Sequence, residues 1–214
     1  MNPINLDYPR LLDELNELAE NLDRNKFSLS WADVNWGIAE LWLEHRHYDW
    51  SQRHRLALKH YHCALHLYEH TKIILINGLH FQNSIGIVYR SLALTEPDFS
   101  LKQAITAYQS ALTIFTQLRY PAEWAMVQNN LGIACFTHIE ERSTDETNLA
   151  FISFNAALHI HTRTDYPDDW ARIHHNLGTL YQSQQKPVNQ VDFCKKAIEH
   201  YTRALTIHPE AKHT

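Results

Sequence analysis

Small and aromatic residues recur along the chain on one helical face at a long, even spacing. Ala57, Tyr61, Ala64 and Leu65 stand at offsets 0, 4, 7 and 8. The same offsets return at Ala104, Tyr108, Ala111 and Leu112, at Ala150, Phe154, Ala157 and Leu158, and at Ala197, Tyr201, Ala204 and Leu205. Side chains so spaced share one face of an α-helix. Each set therefore predicts a helix, here called B, whose alanines let a neighbour come close while a ring fills the groove. The steps from Ala64 to Ala111, Ala157 and Ala204 are 47, 46 and 47 residues. A period of this kind marks a repeat architecture, which overrides any local reading.

Upstream of each helix B lies a second signature: Asn35-Trp36-Gly37, Ser84-Ile85-Gly86, Asn130-Leu131-Gly132 and Asn176-Leu177-Gly178. A glycine inside a helix costs roughly 1 kcal/mol relative to alanine. Its return at one register predicts a helix A with a place where another helix leaves no room for a Cβ. Trp124, Val127, Leu131 and Cys135, then Trp170, Ile173, Leu177 and Tyr181, form an apolar stripe on the last two A helices, which makes both tryptophans core candidates. Both helices open with Tyr-Pro followed by acids, at Tyr120-Pro121 and Tyr166-Pro167. Proline gives up no needed N–H in the first turn, and acids there suit the positive end of the helix dipole.

The two signatures together resemble the tetratricopeptide repeat. In the last copy Leu177, Gly178, Tyr181, Ala197, Tyr201, Ala204 and Pro209 all stand in that family's roles. The family period is about 34 residues, so the form here is a long one, similar to repeats common in cyanobacterial proteins. The resemblance implies an all-α fold: a right-handed α-solenoid of four helical hairpins at about 29–72, 73–119, 120–164 and 165–209. Ahead of them, Leu11, Leu12, Leu15, Leu18, Ala19 and Leu22 form one apolar stripe. They predict a capping helix within 5–28, the element a solenoid needs to protect its first repeat.

The resemblance also implies that the A helices line a concave groove. The inward positions would be Trp31, Val34, Ile38, Leu41 and Trp42 in the first copy, and His80, Asn83, Ile87 and Arg90 in the second. Met126, Asn129, Ile133 and Phe136 would follow in the third, then Arg172, His175, Thr179 and Gln182 in the fourth. Amides that bond an extended backbone, an arginine for a carboxylate and rings for side chains are the chemistry of peptide capture. Family members that clamp a C-terminal carboxylate use two asparagines with lysines and an arginine. Here Asn130 and Arg172 match two of five such roles, while Asn83, Ile87 and Asn176 do not. The expectation is a protein-interaction scaffold that takes a different peptide or a helix of a partner, with Asn129 and Arg172 as capture residues.

Composition narrows the alternatives. A chain of 214 residues with 44% hydrophobic content suits one continuous unit. A net charge of −5 removes the basic footprint expected of a nucleic-acid or anionic-lipid binder. No signal peptide or membrane span is apparent, and Cys63, Cys135 and Cys194 form no CxxC pair, so a reducing cytoplasm is the expected compartment. No catalytic or cofactor motif occurs, so neither enzyme activity nor a cofactor is expected. Sixteen histidines are unusual. His62, His66 and His70 at i, i+4 and i+8 could share a metal, which gives a second reading as a metal- or pH-responsive regulator. By default these imidazoles are expected simply to face water. Self-association is compatible with either reading.

Overall fold

The computed structural model describes residues 8–23, 28–45, 48–71, 76–96, 99, 101–137, 143–184 and 190–207. Every regular element among them is an α-helix. The chain falls into two compact units, 1–111 and 112–214, where composition suggests one.

The first unit holds α1 (Tyr8–Asn21), α2 (Ser28–Glu44), α3 (Trp50–Thr71), α4 (Ile76–Ala93) and nearly all of α5 (Leu101–Leu112). Here α1 packs on α2, α2 on α3 and α3 on α4. Its core is built from the recurrent positions: Ala57, Leu58, Tyr61 and Ala64 of α3 meet Ala32 and Ala39 of α2 and Phe81, Ile85, Val88 and Leu92 of α4. The apolar stripe predicted for the cap lies on α1, which packs on α2. Leu12 is buried, and the Trp31 indole donates to the Ala19 carbonyl at 2.9 Å. Residues 5–7 and 24–27 of the predicted cap lie outside the described residues.

The second unit holds α6 (Pro121–Phe136), α7 (Thr144–Leu158), α8 (Pro167–Gln182) and α9 (Gln190–Leu205). It is two hairpins, α6 on α7 and α8 on α9, with α8 also packed on α7 and α6. Pro121 and Pro167 open their helices in the first turn, followed by Glu123 and by Asp168 and Asp169. A capping box starts α7, in which the Ser143 hydroxyl accepts from the Glu146 N–H and the Glu146 carboxylate accepts from the Ser143 N–H. Such a cap stabilises a helix start by about 1 kcal/mol. Packing of consecutive helices in hairpins is the arrangement of a helical solenoid.

The glycine register has the expected cause in three copies. A Cβ on Gly86 would lie 2.5 Å from the Tyr108 ring, on Gly132 2.7 Å from Phe154, and on Gly178 2.7 Å from Tyr201. In each case the helix-B ring lies against the helix-A backbone of its own hairpin. Gly37 differs. Its nearest neighbour would be Leu15 of the cap at 3.7 Å, while the Tyr61 hydroxyl donates to Glu40 at 2.6 Å.

Candidate functional site

Helix packing decides which of the predicted inward residues can meet a partner. Trp31, Ile38, Asn83 and Asn129 are buried and correct the expectation that they line an open groove. Trp31 lies under α1, and Ile38 belongs to the interior of the first unit. Asn129 accepts a hydrogen bond at 3.1 Å from the Asn176 amide, across the seam where α8 meets α6. That polar pair is spent on holding two helices together. Val34, Trp42, His80, Arg90, Met126 and Phe136 are half-buried. Trp42 stands edge-on to Tyr48 at 5.1 Å, Arg90 lies beside the Tyr108 hydroxyl, and Phe136 rests on Phe154 at 5.7 Å.

Three predicted residues are exposed, and all belong to α8: Arg172, His175 and Gln182. They converge on Tyr201 of α9. Gln182 accepts from the Tyr201 hydroxyl at 2.9 Å, and the His175 ring lies 5.4 Å from the Tyr201 ring. Arg172 pairs with Asp169 one turn earlier. Beside them opens a cavity of about 600 Å³ lined by Asp168, Asp169, Ala171, Arg172, His175, Tyr201, Ala204 and Leu205. Its acids and its arginine sit toward the start of α8, and the rest of its wall is largely apolar. On the same face of α9, Ile198 is 65% exposed. The charged residues of α9 suggest a helix that meets water readily, but Val191 and Ile198 are large, bare apolar side chains. The sequence signal for Ile198 is the large apolar residue that follows the first alanine of every copy: Leu58, Ile105, Phe151 and Ile198.

A smaller recess of about 320 Å³ in the first unit is lined by His62, Tyr89, Lys102, Thr106 and Ser110 with Gln82, Ile85, Gln103 and Ala107. There His62 Nε2 is 2.9 Å from the Tyr89 hydroxyl. His62 and His66 are exposed, and the His70 side chain lies outside the described residues. Among the described residues no group of three or more metal-ligating side chains comes together.

The buried histidines depart from the surface expectation. His45, His161 and His174 are almost fully covered. His174 of α8 meets His200 of α9, Nδ1 to Nδ1 at 2.7 Å, one donating and the other accepting. That bond requires at least one neutral ring. Burial, the neighbouring His200 and Arg203 push His174 down to about 4, and burial together with Arg203 also lowers His200. His60 is held down to about 4 by burial and Lys59, with its Nδ1 donating to the side-chain Oδ1 of Asn35 at 2.9 Å. Burial likewise pushes the Cys135 thiol up to about 12, with Glu146 adding to the shift. That thiol is a small core residue, far from the thiolate a nucleophile needs. Trp124 and Trp170, core candidates by their register, are only half-buried. Among the described residues no helix is long and apolar enough to cross a membrane.

No protein-family model matches the chain, and no curated protein matches its sequence. Among solved structures it is similar to the crystal structure of BtubC (BKLC) from P. vanneervenii. The TM-score is 0.72 at 19% identity, over 97% of this chain and 76% of that one. At that identity the likeness is one of fold, an all-helical, repeat-like arrangement.

Proposed function

We propose that the chain is a protein-interaction scaffold of the tetratricopeptide type, which holds a segment of a partner protein on the open face of α8 and α9. The observation that carries this reading is the cavity of about 600 Å³ between those helices, on a pair whose second helix also carries an Ile198 side chain that is 65% exposed. Large apolar side chains beside a formed cavity are a feature of interaction surfaces. The exposed groups at its edge, Arg172, His175 and Gln182, supply the polar contacts that fix a partner's orientation. A clamp for a terminal carboxylate lacks support, because only Asn130 and Arg172 of its five roles are matched. The alternative, a metal- or pH-responsive regulator using the histidine-rich first repeat, has no specific observation in its favour.

The reading is tested by placing a photo-crosslinking amino acid at His175 in the cell that makes the chain, and in parallel at Glu17, which is exposed on α1. The expected result is one or a few discrete adducts from position 175 and none of the same size from position 17. Absence of adducts at 175, or the same adducts from both positions, contradicts the reading.

A further inference from the structure

Each hairpin B helix carries the same face, and two of those faces are covered within their own unit by the next helix A. In the first unit α4 lies on α3, where Leu58 is 8% exposed and Tyr61 and Ala64 are fully buried. In the second unit α8 lies on α6 and α7. Phe154 and Ala157 are fully buried, the Tyr181 ring stands 4.8 Å from Phe151, and Asn176 bonds Asn129. The equivalent places on α8 and α9 are His175 for Asn129, Ile198 for Phe151, Tyr201 for Phe154 and Ala204 for Ala157. His175 is exposed, Ile198 is 65% exposed, and Tyr201 and Ala204 are only half-buried. Within the second unit, α8 and α9 thus form a seat for a helix A on which no described residue of that unit places a helix.

Resting on the scaffold reading, we infer that this seat takes an amphipathic α-helix from another protein, built like this chain's own α4 and α8. A helix satisfies its own backbone hydrogen bonds, whereas an extended peptide needs partners along its length. The polar groups of the cavity gather toward the start of α8 and at its His175–Tyr201 edge, and the stretch at Ala171, Ala204 and Leu205 offers such a peptide none. The two seated helices show what the incoming one must carry. Ser84 on α4 and Asn176 on α8 share one register, two residues before the glycine. Tyr89 and Tyr181 share another, three residues after it. Ser84 lies beside the Tyr61 hydroxyl and Asn176 bonds Asn129, while Tyr89 meets His62 and Tyr181 meets Phe151. A small polar residue followed five places later by an aromatic is therefore the recognition pattern. On the open seat the polar residue would reach His175 and the ring would cover Ile198.

The probe is a fluorescein-labelled peptide copying residues 166–184, which include α8 and carry the pattern as Asn176 and Tyr181. It is titrated with the whole chain and followed by anisotropy. The proposal expects saturable binding with a Kd on the order of 10 μM. Ile198→Asp should weaken it at least tenfold, and Ile152→Asp, at a residue equally exposed on α7, should leave it unchanged. Circular dichroism of both variants shows that they remain folded. No binding by the whole chain, or equal binding by Ile198→Asp, overturns the proposal. So does binding that appears only after deletion of residues 208–214, which assigns the seat to the chain's own tail. A dimer in sedimentation that Ile198→Asp dissociates assigns it to a second copy and overturns it as well. If adducts form at position 175 while the peptide fails to bind, the scaffold reading stands and the helical occupant does not.

Discussion

The hairpin α6/α7 and the hairpin α8/α9 are built from one pattern and differ in what lies on them. Both place a helix-B ring against a helix-A glycine, Phe154 on Gly132 and Tyr201 on Gly178, with a Cβ at either glycine 2.7 Å from that ring. The internal packing of a hairpin is thus the same in both. What differs is the next helix. Under α8, Ala150, Ser153, Phe154 and Ala157 of α7 are buried, whereas on α9 Ala197 alone among the described residues reaches that state. The lesson is that the repeat pattern specifies two faces, one toward the hairpin partner and one toward a follower. Burial of the second face depends on the follower being there.

The contrast is broken most strongly by truncating the two rings. Phe154→Ala removes a fully buried side chain and should lower the unfolding free energy by about 3 to 5 kcal/mol. Tyr201→Ala, at a half-buried ring, should cost about 1 kcal/mol, since much of its area is already in water. Urea unfolding of both variants checks this, and equal losses would mean that the two faces are equally covered.

The second test uses pH. The bond between His174 and His200 belongs to α8/α9, and the places of those rings in α6/α7 are held by Gln128 and Ser153. His174 keeps a depressed value near 4 in the fold against about 6.5 when unfolded. The unfolded chain therefore binds more protons between those values. The stability this neutral pair contributes is complete above pH 6.5 and is lost as the pH falls toward 4. The expected loss is about 2 kcal/mol by pH 4.5. Melting curves should show a Tm that falls over this window and a shallower fall in His174→Gln. His60 keeps part of the dependence, because it too is held near 4.

A smaller effect separates two residues that the sequence groups together as capture residues. Asn129→Ala leaves the Asn176 amide without its acceptor at the α6/α8 seam, and should cost about 1 kcal/mol. Arg172→Ala removes an exposed ion pair and should change stability by less than about 0.5 kcal/mol. Thermal melting of the two variants, measured side by side, checks the difference.

The helical pairs and three of the four glycine contacts are legible in the sequence because two signatures recur in phase and only a stacked helical pair explains both. Asn129 shows why the site is less legible. An amide at an inward register reads equally well as a peptide ligand or as a seam bond, and only the position of Asn176 decides between them. Trp31 is similar, since its burial depends on the carbonyl of Ala19 in a separate helix. His174 reads as a solvent-facing imidazole because nothing local reveals His200 opposite it. Ile198 carried a usable signal, as the fourth of the large apolar residues that follow each first alanine. Its exposure reflects what does not cover it, which one helix's pattern cannot report.

The claim that α8 and α9 present an open seat is tested most directly by amide hydrogen exchange across α7 and α9, measured with and without the peptide copying residues 166–184. Helices with few buried contacts open at lower free energy. The account predicts slow exchange in α7 under both conditions, and exchange in α9 at least tenfold faster in the free chain and slowed when the peptide is present. An α9 as protected as α7 in the free chain, or unchanged by the peptide, would contradict it.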